Sequence, residues 1–350
     1  GLIMEKADKV KNALQWYDKN KDLYERCAKT KMDIITQILK SKNIPYHSIT
    51  YRVKDRESYR NKCENDKYTD PVKEIMDLSG IRIIAYTNND VHKICEIIEE
   101  EFIIDEENSM DKHDIMSENQ VGYLSVHFIA KLKESRTNLI EYKDYEEIRS
   151  EIQVRTLLQH AWAEIEHDRN YKFSGVLPKN IRRKFYLLSG VLELVDNEFD
   201  SLSKEIDLYA EQIEKKVVKG NFEIGITSNS LEQYLIKRCE NYKQIEALSD
   251  GKIVNNEIIE ELTRFGFNTI KDIDDAIKEE YLENANTYIG ILRTSMVCND
   301  AQKYFEKAYN YAWKGLLKQT RQFWEKQGVK DLEKYMKKYG IFMCTEDDYE

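Results

Sequence analysis

Asp77-Leu-Ser-Gly-Ile-Arg-Ile-Ile-Ala-Tyr86 is the stretch on which the reading of this fold turns. Ser79-Gly80 is a turn former, and Ile81 to Tyr86 is a short apolar run rich in β-branched residues, the pattern of a strand buried inside a sheet. Just downstream, Asp90 to Phe102 repeats apolar residues at three and four, the helical period, and Phe102-Ile-Ile104 returns to strand character. A strand, helix, strand succession calls for a sheet with helices on its faces.

Working outward, the alternation in His47-Ser-Ile-Thr-Tyr-Arg-Val53 predicts a first strand, and Glu5 to Lys42 reads as one or two amphipathic helices ended by Asn43-Ile-Pro45. Pro71 to Met76 reads as a short helix, and Asp105 to Asn119 as a polar excursion. Gly122 to Leu132 and Glu151 to Val154 read as two further strands, with Thr156 capping a long helix that carries Trp162, Glu164, Glu166 and His167. The expected class is α+β, a mixed five-stranded sheet flanked by helices. Ile181 to Val218 is helical by period, and Lys219 to Ser230, with two glycines and several turn formers, interrupts it. The expected domains are therefore 1–218 and 231–350, the second all-α.

A chain of 350 residues exceeds the usual single-domain size, and 34% charged residues with only 3 prolines favour long solvated helices. No apolar run approaches the roughly 18 to 20 residues that cross a bilayer, so no membrane contact and a cytoplasmic location are expected. Met4 is the expected natural start. The six cysteines at 27, 63, 95, 239, 298 and 344 show no short paired spacing, against a zinc knuckle or a disulfide framework. A net charge of −10 disfavours broad nucleic-acid binding but leaves room for a local basic cleft.

Such a cleft is suggested by Tyr51-Arg-Val-Lys-Asp-Arg-Glu-Ser-Tyr-Arg-Asn-Lys62, which carries five cations against two acids. Entered from a strand and continued at helical spacing, it can aim Arg52, Lys54, Ser58 and Lys62 at one polyphosphate. Three polar clusters follow in order: Asp77-Leu-Ser-Gly-Ile-Arg82, Gly122-Tyr-Leu-Ser-Val-His127 and Glu151-Ile-Gln-Val-Arg-Thr156.

Together these four resemble the synthetase domain of the RelA/SpoT family, which makes the alarmones ppGpp and pppGpp; the match runs from about Tyr46 to about Lys172. The resemblance implies a nucleotidyltransferase-like synthetase fold and pyrophosphoryl transfer from ATP to the 3′-hydroxyl of GDP or GTP. It implies that Asp77 and Glu151 are catalytic and hold Mg²⁺, that Arg52 and Arg82 stack on adenine, and that Lys54, Ser58 and Lys62 hold phosphates. Tyr123 would stack on the acceptor guanine, with His127, Gln153 and Arg155 lining the acceptor side. One departure stands out: a family pattern of Pro-Lys-x-Asn-Gly-Tyr meets Glu118 to Tyr123 here, with Asn119 at the lysine and Val121 at the asparagine. That leaves open another acceptor, an adenine nucleotide or a tRNA 3′ end, or a degenerate nucleotide sensor; the acidic composition does not favour tRNA. About 45 residues precede the match, too few for the hydrolase domain of the family's long members, so a monofunctional synthetase is expected. A homo-oligomer is also expected, with residues 231–350 packing, oligomerising or sensing a partner.

Overall fold

The computed structural model describes residues 2–109, 125–172 and 177–345. Two compact units emerge, Gly1–Ser203 and Lys204–Glu350.

The first unit opens with one helix, α1 (Leu2–Ser41), because no glycine or proline breaks its period before Pro45. It stops where Asn43 takes a left-handed φ of 54°, a conformation that asparagine tolerates better than most residues. Strand β1 (Ser48–Val53) leads into α2 (Arg56–Cys63), capped by Asp55, which accepts from Ser58 N at 2.9 Å. A short α3 (Pro71–Glu74) precedes β2 (Ser79–Ala85), α4 (Asn88–Glu101), β3 (Phe102–Ile104) and β4 (Val126–Leu132). A one-turn α5 (Glu134–Thr137) precedes β5 (Ser150–Thr156), which runs straight into α6 (Leu157–Lys172). Thr156 is the cap expected there: its Oγ1 accepts from Gln159 N at 3.1 Å and its N donates to Gln159 Oε1 at 2.8 Å.

The expected mixed sheet is present, in the order β1-β2-β5-β4-β3. Only β2 and β5 run parallel. Period-two alternation gives the sheet two unlike faces. One carries Ile81, Ile83, Phe128, Ala130, Ile152 and Val154, packed with Cys27, Ala28, Ile35 and Leu39 of α1 and Ile94, Ile97 and Ile98 of α4. The other carries Arg52, Arg82, His127, Glu151, Gln153 and Arg155.

Lys31 of α1 is buried within the apolar layer. Its Nζ donates to Ala130 O (3.0 Å), Ile148 O (2.9 Å) and Ser150 Oγ (3.0 Å), tying α1 to β4 and β5. Burial pulls this amine down to about 8 from its ordinary 10.5. Between those values the unfolded chain binds the extra proton, so stability rises with pH across about 8 to 10.5, by an amount of order 3 kcal/mol at most. Lys31→Met removes that titration and strands two carbonyls, so its destabilisation should grow from pH 7.5 to pH 10. Denaturant melts of both proteins at each pH read this directly, and a pH-independent difference would contradict it.

Helix α7 (Lys179–Val218) runs unbroken through the boundary between the two units. The units thus part inside a helix, upstream of the 219–230 junction at which composition places the division. The physical reason is that Ile213 and Val217, on its last turns, belong to the second unit's core.

That second unit is helical. Helices α8 (Ser228–Arg238), α9 (Asn256–Phe265), α10 (Ile270–Ala276) and α12 (Tyr288–Asn299) each start at a side-chain cap, Thr227, Asn255, Thr269 and Thr287, with the small α11 (Glu279–Asn284) between the last two. Beyond α13 (Ala301–Lys303) and a π turn at Tyr304–Ala308 come α14 (Lys318–Lys326) and α15 (Leu332–Tyr339). One addition to the all-α expectation is a small parallel pair, β6 (Gly315–Leu317) with β7 (Phe342–Cys344). Each strand has three residues, too short for alternation to mark it. At the centre, Glu261 is fully buried and accepts from Arg293 (2.8 Å) and from Tyr304 OH (2.7 Å). Among the described residues no helix is long and apolar enough to cross a membrane.

Candidate active site

The polar face of the sheet is assembled by register. β1 sets Arg52 beside Gly80, while β2 sets Gly80 beside Glu151, Arg82 beside Gln153 and Ile84 beside Arg155. β4 adds His127 beside Gln153. Residues from four strands, up to 103 positions apart in the chain, thus share one surface.

Asp77, in the turn before β2, faces the cations of the β1–α2 segment. Its Oδ2 lies 3.2 Å from Lys54 Nζ and 2.8 Å from Lys62 Nζ. Burial works against the carboxylate, but the hydrogen bond and charge of Lys62 and the charge of Lys54 outweigh it and hold Asp77 below the usual carboxylate range. Its Oδ1 is buried and accepts no hydrogen bond among the described residues. Glu151 is also held low, chiefly by the hydrogen bond between its Oε1 and His127 Nδ1 at 2.9 Å; burial and the charge of Asp77 oppose this, and Arg52 assists it. Both acids are therefore anionic at neutral pH, close enough to feel each other, with cations around them.

The five cations of the 52–62 segment do not all face this cluster. Arg56 makes a two-pronged pair with Asp18 of α1 at 2.9 and 3.1 Å, and Arg60 pairs with Glu64 at 3.2 Å. Lys54 and Lys62 converge on Asp77, and exposed Arg52 stands at the edge of the face. The Ser58 hydroxyl is turned to the cap, donating to Asp55 Oδ2 at 2.6 Å.

At the other end, Arg82 donates from Nε to Gln153 Oε1 at 2.9 Å and lies 3.4 Å from Glu164. Arg155 is almost wholly buried, its NH2 donating to His160 Nδ1 at 2.6 Å and lying 3.4 Å from Glu164. Burial, then the charge of Arg82, pulls Arg155 down to about 10. Burial and Arg155 likewise lower His160, so that at neutral pH its bare Nδ1 accepts that bond. His160 and Glu164 are site neighbours that sequence reasoning gave no role. The available signal was their spacing: Thr156 caps the helix, and positions 160 and 164 share the face that looks back over the strand end. Tyr123, Asn119 and Val121 lie outside the described residues.

The donor set fits a hard divalent cation. Asp77 offers an orphaned buried oxygen, and Glu151 is a second carboxylate within electrostatic reach. No cluster of three or more His, Cys, Asp or Glu forms among the described residues. Two carboxylates are a donor set that Mg²⁺ accepts, since it completes its octahedron with phosphate oxygens and water.

Glu151 on the polar face of the sheet and Asp77 in the turn before β2 thus lie together with Lys54, Lys62 and Arg52. The sequence model of the region found in RelA/SpoT proteins matches residues 51–176. Over that stretch the chain is similar to the RelA/SpoT proteins. Two curated relatives from Bacillus subtilis are similar to it: GTP pyrophosphokinase YwaC, 29% identical over 51% of this chain and 84% of its own length, and GTP pyrophosphokinase YjbM, 28% identical over 46% and 74%. The solved small alarmone synthetase 1 of Bacillus subtilis aligns at 22% identity with a TM-score of 0.46, covering 55% of this chain and 98% of that one.

Proposed function

We propose that this chain is an ATP-dependent (p)ppGpp synthetase. The 3′-oxygen of GDP or GTP would attack the β-phosphorus of ATP; the new O–P bond forms as the bond to the α,β-bridging oxygen breaks, and AMP leaves with that oxygen. The observation that supports this best is the clustering of Asp77, in the turn before β2, and Glu151 of β5 with Lys54, Lys62 and Arg52, within the stretch similar to RelA/SpoT proteins. The two GTP pyrophosphokinases to which the chain is similar perform the named activity in Bacillus subtilis.

In this reading Lys54 and Lys62 exchange Asp77 for the triphosphate of ATP, with Ser58 at the start of α2 assisting once it is released from its cap. Arg52 and Arg82 flank adenine, a task suited to planar, weakly hydrated guanidinium groups. Asp77 and Glu151 would hold Mg²⁺, which when bound neutralises charge on the transferring phosphates. Glu151, anionic and part-buried, would take the proton of the attacking hydroxyl. Tyr123 would stack on the acceptor base, with Arg155 on the same side.

Labelled ATP offered with GMP, GDP, GTP, ADP or deacylated tRNA in turn tests the proposal. Transfer to GDP and GTP is expected. Transfer only to ADP or tRNA would move the chain to another acceptor, a reading that Asn119 and Val121 leave open, and no transfer at all would defeat the synthetase reading. Stacking on an aromatic is worth about 1 to 3 kcal/mol. Tyr123→Ala should therefore raise the acceptor KM far more than that for ATP, and an unchanged acceptor KM would refute the stacking role.

A further inference from the structure

Arg82, Gln153 and His127 stand side by side on β2, β5 and β4, and their hydrogen bonds can be read in one direction only. The Nε–H of Arg82 donates and never accepts, so the Gln153 atom 2.9 Å away is the amide oxygen. That turns the Gln153 amide nitrogen toward His127, 3.0 Å from Nε2. An amide NH2 donates, so His127 Nε2 is a bare acceptor, to which the Ser125 hydroxyl at 3.1 Å can also donate. A neutral imidazole with a bare Nε2 carries its proton on Nδ1, and Nδ1 is the atom 2.9 Å from Glu151 Oε1. An imidazolium would also pair with Glu151, but it would set Nε2–H against the Gln153 NH2.

We propose that Arg82, acting through Gln153, holds His127 as the Nδ1–H tautomer, so that His127 and Gln153 are positioning residues for the Glu151 carboxylate rather than ligands of the acceptor nucleotide. Both ring nitrogens of His127 are occupied by protein groups. Reaching a nucleotide would cost the ring one of its two engaged nitrogens. The same three hydrogen bonds join the arginine proposed for adenine to the carboxylate proposed for the acceptor hydroxyl. Nucleotide seated on Arg82 therefore meets a Glu151 whose orientation already depends on that arginine. The inference rests on Glu151 being the reacting carboxylate.

The tautomer can be observed in the full chain without nucleotide. Long-range ¹H–¹⁵N correlation spectra of histidine-labelled protein distinguish a protonated from a bare ring nitrogen, with His127→Asn supplying the assignment. His127 is expected as a single Nδ1–H tautomer, and Gln153→Leu should shift it toward Nε2–H. Kinetics give the second readout. Asparagine places its amide nitrogen near the Nδ1 position, whereas glutamine reaches Nε2. His127→Asn should keep most of the wild-type kcat, while His127→Gln and Gln153→Leu should lose about 10- to 100-fold in kcat, as other orienting partners do. Acceptor KM should stay close to wild type in all three. An Nε2–H tautomer in wild type, a tautomer indifferent to Gln153→Leu, or variants that raise acceptor KM at constant kcat would each overturn the proposal. A wild-type chain that transfers nothing to any acceptor would instead defeat the synthetase reading, with the tautomer result standing by itself.

Discussion

Asp77→Ala is expected to lower turnover by about 100-fold or more, and Glu151→Ala to do the same, since removing one preorganised charge from a reacting centre costs that much. For Asp77 the structure adds a sharper expectation. Its carboxylate pairs with both Lys54 and Lys62, so its loss leaves two part-buried ammonium groups without their partner. ATP, bringing a triphosphate to those lysines, should bind no more weakly to Asp77→Ala than to wild type while kcat collapses. Asp77→Asn keeps the shape and loses the charge, and should fail equally. Steady-state kinetics across a magnesium titration check this, with far-ultraviolet circular dichroism to confirm the fold. Near-wild-type turnover of either alanine variant at saturating magnesium would remove that residue from the catalytic assignment.

The second large effect concerns stability. Arg293→Leu should destabilise the C-terminal unit by about 3 to 5 kcal/mol, because it strands a carboxylate that the fold has removed from water. Glu261 is fully buried and is held by Arg293 Nε (3.1 Å), Arg293 NH2 (2.8 Å) and Tyr304 OH (2.7 Å). Trp313 Nε1 donates to the same tyrosine oxygen at 3.0 Å, and the Arg293 guanidinium lies 5.7 Å from the Trp313 ring centre. The double replacement Glu261→Met with Arg293→Leu should cost much less than Arg293→Leu alone, since no buried charge then lacks a partner. Denaturant unfolding followed by the fluorescence of Trp313 and Trp324 separates the cases. A double variant less stable than the single one would show that the carboxylate is not the source of the loss.

Much of the first unit was legible in the chain, and particular residues show why. Ile81 to Tyr86, the alternation before Val53 and the Thr156 cap are local patterns: a strand or a helix start is specified by residues within a few positions of one another, and β1, β2, β5 and α6 fall where those patterns lie. The small β6 and β7 escaped because three residues carry no period. The second unit's boundary escaped because α7 is continuous through it, so no local break marks the place where its side chains join the second core.

By itself, then, the sequence determined which elements form and which residues can carry charge at their ends, because period, capping and turn chemistry act over one or two helical turns. Tertiary structure decided who meets whom. It turned Lys54 and Lys62 to Asp77 but Arg56 to Asp18 and Arg60 to Glu64, sorting five similar cations by the faces that packing left open. It buried Lys31 among carbonyls of β4 and of the approach to β5. It also laid His127 beside Gln153 across two strands 26 residues apart, making a directed hydrogen-bond chain from Arg82 to Glu151. Strand order and register are set by the pairing of distant segments over a shared apolar layer, and nothing within a few residues of His127 specifies which strand will stand beside it.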